Sequence, residues 1–81
     1  MDKVRIDKWL WAARFYKTRS LATEEIDKGR VRVNDAEVKP GDSVVLRQGP
    51  VIRTLLVRGI SDIRGAAPIA QLLYEETDAS L

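Results

Sequence analysis

Residues 9–34, WLWAARFYKTRSLATEEIDKGRVRVN, form the stretch that decides the fold. Its first part continues a run of apolar residues at helical spacing, with no Gly or Pro between them, and this predicts a first helix over residues 6–16. Ser20 is a suitable helix N-cap and Gly29 a suitable left-handed stop, so we expect a short second helix between them. After Gly29 apolar and basic residues alternate, which indicates a β-strand.

The rest of the chain has the pattern of short strands separated by turns. RVRVNDAEV is expected to form a strand that turns at residues 34–35, and SVVLRQ and VIRTLLVRGI are two further strands. Pro40 and Gly41 suit the central positions of a type II turn. Pro68 suits the first turn of a C-terminal helix over residues 68–77, PIAQLLYEET. The prediction is an α+β fold: two short N-terminal helices packed on a small antiparallel sheet, with a C-terminal helix.

Length and composition indicate one folded domain over residues 1–81. The chain is 44% hydrophobic and 32% charged and contains neither Cys nor His. Without those residues or a glycine-rich phosphate loop, we expect no catalytic residue, no metal site and no cofactor. The N-terminus, MDKVRIDK, does not resemble a signal peptide, and no apolar run approaches the ~20 residues of a membrane span. A cytoplasmic location without a membrane partner is therefore expected.

The net charge of +2 is unevenly distributed along the chain. Residues 1–39 carry ten of the fourteen Lys and Arg, whereas the last eight residues, YEETDASL, carry three acids and no base. Such a distribution favours a nucleic acid or an acidic protein as the partner. Many of the cations lie at the junction of the two predicted helices, where the free N–H groups of a helix N-terminus also attract anions. The expected phosphate-binding residues are Arg5, Lys8, Arg14, Lys17, Thr18, Arg19, Ser20, Arg30 and Arg32.

Two aromatic residues and one acid in this region allow further interpretation. Trp11 and Phe15 project from the side of the first helix opposite its main apolar stripe. They either cover a second small apolar cluster, under the C-terminal helix, or line the ligand surface, where bases can pack on them. Asp7 is expected to organise the positive surface by contacting Arg14 or a neighbouring backbone donor, and not to act as a catalyst.

The sequence resembles the S-four RNA-binding domain over residues 4 to about 60. The similarity lies in R-x-D-K-W-L-W, followed by K-T-R-S, a helix and G-R-V-R-V-N. Within that superfamily, DKWLWAARFYKTRSLA and LLYEET are similar to the small stand-alone heat-shock RNA-binding proteins that associate with the large ribosomal subunit. The resemblance implies an αL RNA-binding motif, in which two helices and the first hairpin grip structured RNA. It also implies a stress-response role in ribosome quality control, on large subunits that carry peptidyl-tRNA.

Carried over by motif, the resemblance assigns the main RNA contacts to seven residues, with Arg30 close to them: Arg5, Lys8, Arg14, Lys17, Thr18, Arg19 and Ser20. Two features depart from the family pattern. NDAEVKPG, residues 34–41, is shorter than the usual hairpin and connection, and the relatives continue past LLYEET into a basic helical extension. We expect a non-enzymatic protein that binds structured RNA, with ribosomal RNA of the large subunit as its partner. The alternatives are a protein-interaction module with an exposed aromatic patch and a DNA-binding domain.

Overall fold

The computed structural model describes residues 2–77, and within them it confirms the α+β fold. The sequence predicted the order of the helices and strands only in part. In chain order the elements are β1 (Val4–Arg5), α1 (Ile6–Ala12), α2 (Arg19–Asp27), β2 (Val31–Arg32), β3 (Glu37–Val38), β4 (Ser43–Gln48), β5 (Val51–Val57), α3 (Ala67–Ala70), a 3-10 turn (Gln71–Leu73) and β6 (Tyr74–Glu76).

The strands form two antiparallel sheets. The larger has the order β2-β4-β5-β6, and the smaller pairs β1 with β3. The segment 30–38 therefore does not fold back on itself: β2 pairs with β4 through Val31 and Leu46, and β3 pairs with β1 through Val38 and Val4. Two-residue strands gain little from pairing with each other, whereas these partners allow both Val31 and Val38 to be buried.

The core lies between α1 and the inner face of the larger sheet. Trp9 and Leu10 of α1 are fully buried, as are Leu46 of β4 and Leu55 of β5. The indole N–H of Trp9 donates to the carbonyl oxygen of Gly59 at 3.0 Å, so its one polar group is satisfied. Because strand residues alternate between faces, the other face of the larger sheet is left to solvent.

Helix α1 ends at Ala12, four residues earlier than predicted. The amide of Arg14 donates to the Trp11 carbonyl at 3.1 Å and that of Phe15 to the Leu10 carbonyl at 3.0 Å, the two bonds of a Schellman stop. The left-handed position of that stop is held by Arg14, with φ 66°, where glycine is the usual residue. The turn reverses the chain and brings Phe15 back onto the core.

The local signals around α2 were correct at its end and wrong at its start. Gly29 has φ 77° and ends the helix as predicted, and Gly41, with φ 99°, forms the predicted turn after Pro40. The N-cap, however, is Thr18, whose hydroxyl oxygen accepts from the Leu21 amide at 3.1 Å. Ser20 is already inside the helix, so its side chain is not the cap.

The predicted C-terminal helix over residues 68–77 is correct only in its first part. Helical structure covers Ala67–Ala70 and the 3-10 turn Gln71–Leu73, after which Tyr74–Glu76 forms strand β6 beside β5. Without β6, strand β5 would be the edge of the sheet, with unpaired backbone N–H and C=O groups along it. The hydrogen bonds that β6 makes with these groups stabilise the strand more than the local helical preference stabilises a helix. Side chains favour the same pairing, because Glu75 lies 2.6 Å from Arg58 and Glu76 2.7 Å from Arg53.

Candidate nucleic-acid interface

A buried carboxylate organises the junction between the N-terminal strand and the two helices. Asp7, in the first turn of α1, is only 8% exposed and accepts from the guanidinium groups of Arg19 at 3.1 Å and Arg5 at 3.3 Å. The hydroxyl of Thr23 lies 3.5 Å from the same carboxylate. Asp7 thus contacts both arginines of the junction, and of the two partners predicted for it, Arg14 or a neighbouring backbone donor, the second is correct, because the Lys8 amide also donates to it.

The surroundings of Asp7 keep it ionised. Burial raises the pKa of its carboxyl, but the hydrogen bond and positive charge of Arg19, the backbone amide of Lys8 and the charge of Arg5 outweigh that effect. The net result is a pKa below the usual value for aspartate. One negative charge is therefore shared by two arginines, and the trio retains a net charge of +1.

A second shared carboxylate lies at the end of α2. Glu25 accepts from Arg30 at 3.2 Å and lies 3.8 Å from Lys28. This trio also has two cations for one acid, so it too keeps a net charge of +1. Both trios hold their cations in place without neutralising them.

Six other cations make no ion pair with any residue of the described range 2–77: Lys8, Arg14, Lys17, Arg32, Arg47 and Arg64. Two of them are fixed by backbone carbonyls. The Arg14 Nε donates to the Gly65 oxygen at 2.8 Å, and the Arg64 Nε donates to the Trp11 oxygen at 3.2 Å. The remaining four are not held by an acid, and an anionic ligand could pair with them.

By their contacts and their positions in the chain, the nine sequence-predicted residues fall into two groups and one outlier. The first group, which we call the helix-turn face, consists of Arg5, Lys8, Lys17, Thr18, Arg19 and Ser20. Lys8 adjoins Asp7 along the chain, and Lys17 precedes the cap of α2. Arg14 lies apart from this group because its left-handed backbone turns the side chain toward Gly65.

The second group lies on the outer face of the larger sheet. Arg30 and Arg32 border a groove of about 240 Å³, which we call the sheet groove; its full lining is Gly29, Arg30, Arg32, Val45, Arg47 and Ile52. The sequence predictions did not include Arg47. Its position on β4 is opposite Arg30 only because β2 pairs with β4, and strand pairing is not visible in the alternation of one strand.

Phe15 is a partly buried member of an apolar cluster. Its ring centroid lies 6.0 Å from that of Trp9 and 4.6 Å from that of Tyr74, and the Arg53 guanidinium lies 5.3 Å from the ring centre. Trp11 is half-buried against the same core. For Phe15, the ring contact with Tyr74 favours the interpretation of packing beneath the C-terminal segment.

Two kinds of feature are absent from residues 2–77. No group of three or more His, Cys, Asp or Glu side chains in this range could hold a metal ion. None of the helices in the same range is long and apolar enough to cross a membrane.

Comparison with known families identifies the fold. The family model of the S4 domain matches residues 4–47, which include the helix-turn face and most of the sheet groove. The chain belongs to the S4 domain family. The resemblance found in the sequence is thereby confirmed.

Relatives of this S4 domain are similar over nearly all of the chain. It is 54% identical to a Heat shock protein 15 homolog of Aeromonas salmonicida over 98% of this chain and 64% of that protein. It is 35% identical to the RQC P-site tRNA stabilizing factor of Bacillus subtilis over 90% of this chain and 95% of that protein. A trimeric structure of Vibrio cholerae Heat Shock Protein 15 superposes with a TM-score of 0.88 at 48% identity, over 98% of this chain and 86% of that one. The chain thus spans about 64% of the length of the Aeromonas salmonicida and Escherichia coli relatives.

Proposed function

We propose that this S4 domain binds structured RNA through the helix-turn face. The observation that carries the proposal is the Arg5–Asp7–Arg19 trio, in which two guanidinium groups are held around one buried carboxylate and keep a net positive charge. Lys8 and Lys17 adjoin this trio along the chain and have no acidic partner within residues 2–77. A fixed cluster of excess positive charge is what a phosphate backbone requires.

The first turn of α2 adds neutral donors to this cluster. The amides of Arg19 and Ser20 precede the first intrahelical hydrogen bond of the nine-residue helix, so they are available to a phosphate oxygen. The Thr18 hydroxyl is fixed by its capping bond to the Leu21 amide. A-form RNA presents mainly phosphates and 2′-hydroxyls to a protein, so contacts of this kind select shape more than sequence.

The names of the relatives support a place in ribosome quality control. One relative is named an RQC P-site tRNA stabilizing factor, and others are named Heat shock protein 15. We propose ribosomal RNA of the large subunit and peptidyl-tRNA as partners, in the cytoplasm and under stress, and a binding role without catalysis. The rival hypothesis of a protein-interaction module loses support, because Phe15, one residue of its aromatic patch, is packed against Trp9 and Tyr74.

The test is binding of a labelled ribosomal RNA hairpin, followed by fluorescence anisotropy across a salt series. The double variant Lys8→Gln, Lys17→Gln removes two cations that have no acidic partner in the described chain. The control, Lys3→Gln with Lys39→Gln, removes two lysines that are paired with Glu37 at 3.4 Å and Asp42 at 3.2 Å. Both pairs of substitutions lower the net charge by the same amount.

The helix-turn variant should bind about tenfold or more weakly at moderate salt, with a salt slope shallower by roughly one to two units. The control should stay within about twofold of wild type, because its lysines already have counter-charges. Equal affinities for wild type and the helix-turn variant would show that the RNA lies on another surface. Equal binding of a duplex DNA of the same sequence would favour the DNA-binding alternative.

A further inference from the structure

We infer that the sheet groove binds one unpaired nucleotide of the RNA, with its base on Val45 and Ile52 and its phosphates on Arg32 and Arg47. The inference rests on the proposed function, since it takes RNA binding as given. It adds a second RNA-contact surface, on the outer face of the larger sheet, and it requires the RNA to have an unpaired nucleotide at that surface.

Strand register places the groove residues in two rows across the sheet. In the first row Arg47 lies between Arg30, whose carbonyl accepts from the Arg47 amide at 2.7 Å, and Ile52, its partner on β5. In the second row Val45 lies between Arg32 and Thr54. All these side chains project from the face opposite the core, because residues two apart on a strand share a face. Arginines thus border a floor made of aliphatic side chains.

The charges of the groove are not balanced by the protein. Arg30 lies opposite Arg47, and like charges directly opposite each other in a sheet are destabilising. Glu25 lies 3.2 Å from Arg30, but Arg47 and Arg32 make no ion pair with any residue between positions 2 and 77. Lys28 extends the positive surface, since it lines an adjoining groove of about 390 Å³ together with Arg30 and Arg47. Four cations and one carboxylate leave a net charge of +3, which a polyanion would offset.

The floor distinguishes an unpaired nucleotide from a duplex. Val45 is half-buried, and Ile52 is 59% exposed, the largest exposure of an aliphatic side chain on β5. A paired helix would offer this floor only its charged backbone, whereas an unpaired nucleotide offers a flat, weakly polar base face as well as phosphate. The volume of about 240 Å³ is below the 300–1,000 Å³ typical of pockets for drug-sized ligands, and it suits one planar group.

The experiment compares two labelled RNA hairpins with the same stem, of which one carries a single-nucleotide bulge. The wild-type protein should bind the bulged hairpin about five to ten times more tightly, as expected where one base packs on the protein. Ile52→Ser removes the more exposed of the two aliphatic side chains of the floor without changing charge, and it should reduce this preference to less than about twofold. Its control is Val51→Ser, which alters the neighbouring residue of the same strand, 54% exposed and on the other face, and should keep the preference.

A second variant separates base packing from charge. The double variant Arg32→Gln, Arg47→Gln should weaken binding of the bulged hairpin more than binding of the plain one. The reason is that the two arginines contact phosphate in the groove only when an unpaired base is bound there. Ile52, Arg32 and Arg47 lie at the surface, so thermal melting should show all variants folded.

The outcomes distinguish the two proposals. If wild type binds neither hairpin, RNA binding itself fails. If it binds both hairpins equally, or if Ile52→Ser keeps the wild-type preference, RNA binding stands and the nucleotide site is overturned. A uniform loss for both hairpins in the arginine variant would show that the groove contacts only backbone phosphate, which also overturns the site.

Discussion

Replacing Asp7 with Asn would test whether the buried carboxylate holds the N-terminal strand and α2 together. The substitution keeps the shape of the side chain and removes its charge. The carboxylate now accepts from Arg19 at 3.1 Å and Arg5 at 3.3 Å. An amide can still accept at its oxygen, but its NH₂ group would face a second guanidinium, which has only donors.

The size of the effect follows from the exposure of the partners. The side chain of Arg5 is 66% exposed, so its bridge contributes little, whereas Arg19 is 44% exposed and the Asp7 side chain only 11%. We expect the free energy of unfolding at pH 7 to fall by about 1–2 kcal/mol, the range of one charge-assisted hydrogen bond and a weak ion pair. In a domain of this size that corresponds to a fall in melting temperature of roughly 4–16 °C.

The lowered pKa of Asp7 determines how the stability difference between wild type and variant changes with pH. The folded pKa of Asp7 lies below the unfolded value of about 3.9. The carboxylate therefore stabilises the fold above that value, and this contribution disappears as the pH falls through the lowered pKa of the folded state. The difference between wild type and Asp7→Asn should be full at pH 7 and should shrink as the pH falls through the lowered pKa of the folded carboxyl.

The measurement is urea denaturation followed by tryptophan fluorescence, at a series of pH values. Asp62→Asn is the matched control: Asp62 is exposed and makes no ion pair within residues 2–77, so its substitution should change stability by less than about 0.5 kcal/mol at every pH. An Asp7→Asn protein as stable as wild type at pH 7, or a difference that does not shrink at low pH, would refute the reasoning.

Three further predictions concern stability and use the same denaturation assay. Thr18→Ala should cost about 1 kcal/mol because the helix loses its cap, whereas Ser20→Ala should stay within about 0.5 kcal/mol; the reverse order would restore Ser20 as the cap. Gly29→Ala should cost about 1–2 kcal/mol through backbone strain alone, since φ is 77° and no atom lies within 4 Å of an added Cβ; a neutral result would contradict the left-handed stop. Phe15→Ala should cost about 2–3 kcal/mol by removing its contacts with two rings, less than a fully buried Phe. A loss of stability below about 1 kcal/mol would favour the other interpretation, in which Phe15 lines the ligand surface.

The sequence by itself determined the features that depend on neighbours along the chain. Gly29 ends a helix because glycine adopts a positive φ that an L side chain resists. Pro40 and Gly41 form a turn for a related reason: the proline ring fixes its φ, and glycine is free to adopt a positive φ. The helical spacing after Ile6 and the alternation after Gly29 similarly report which residues share a face. The concentration of cations in the first half of the chain and the resemblance to the S-four domain are likewise properties of the residue order alone.

Tertiary structure decided which distant groups meet. LLYEET, residues 72–77, has a helical preference, yet Tyr74–Glu76 within it becomes strand β6 because β5 needs a partner along its open edge. Asp7 contacts Arg19, twelve residues away in the chain, and Arg14 contacts Gly65, fifty-one residues away.

The sheet groove is the clearest case of a feature that only the tertiary structure decided. Arg47 joins Arg30 and Arg32 because β2 pairs with β4 and not with β3. A strand's own alternation shows which of its residues share a face, but it carries no information about which strand lies beside it. The sequence therefore determined that this protein is basic and where its short elements begin or end. Packing determined which of its cations face an acid and which remain available to a ligand.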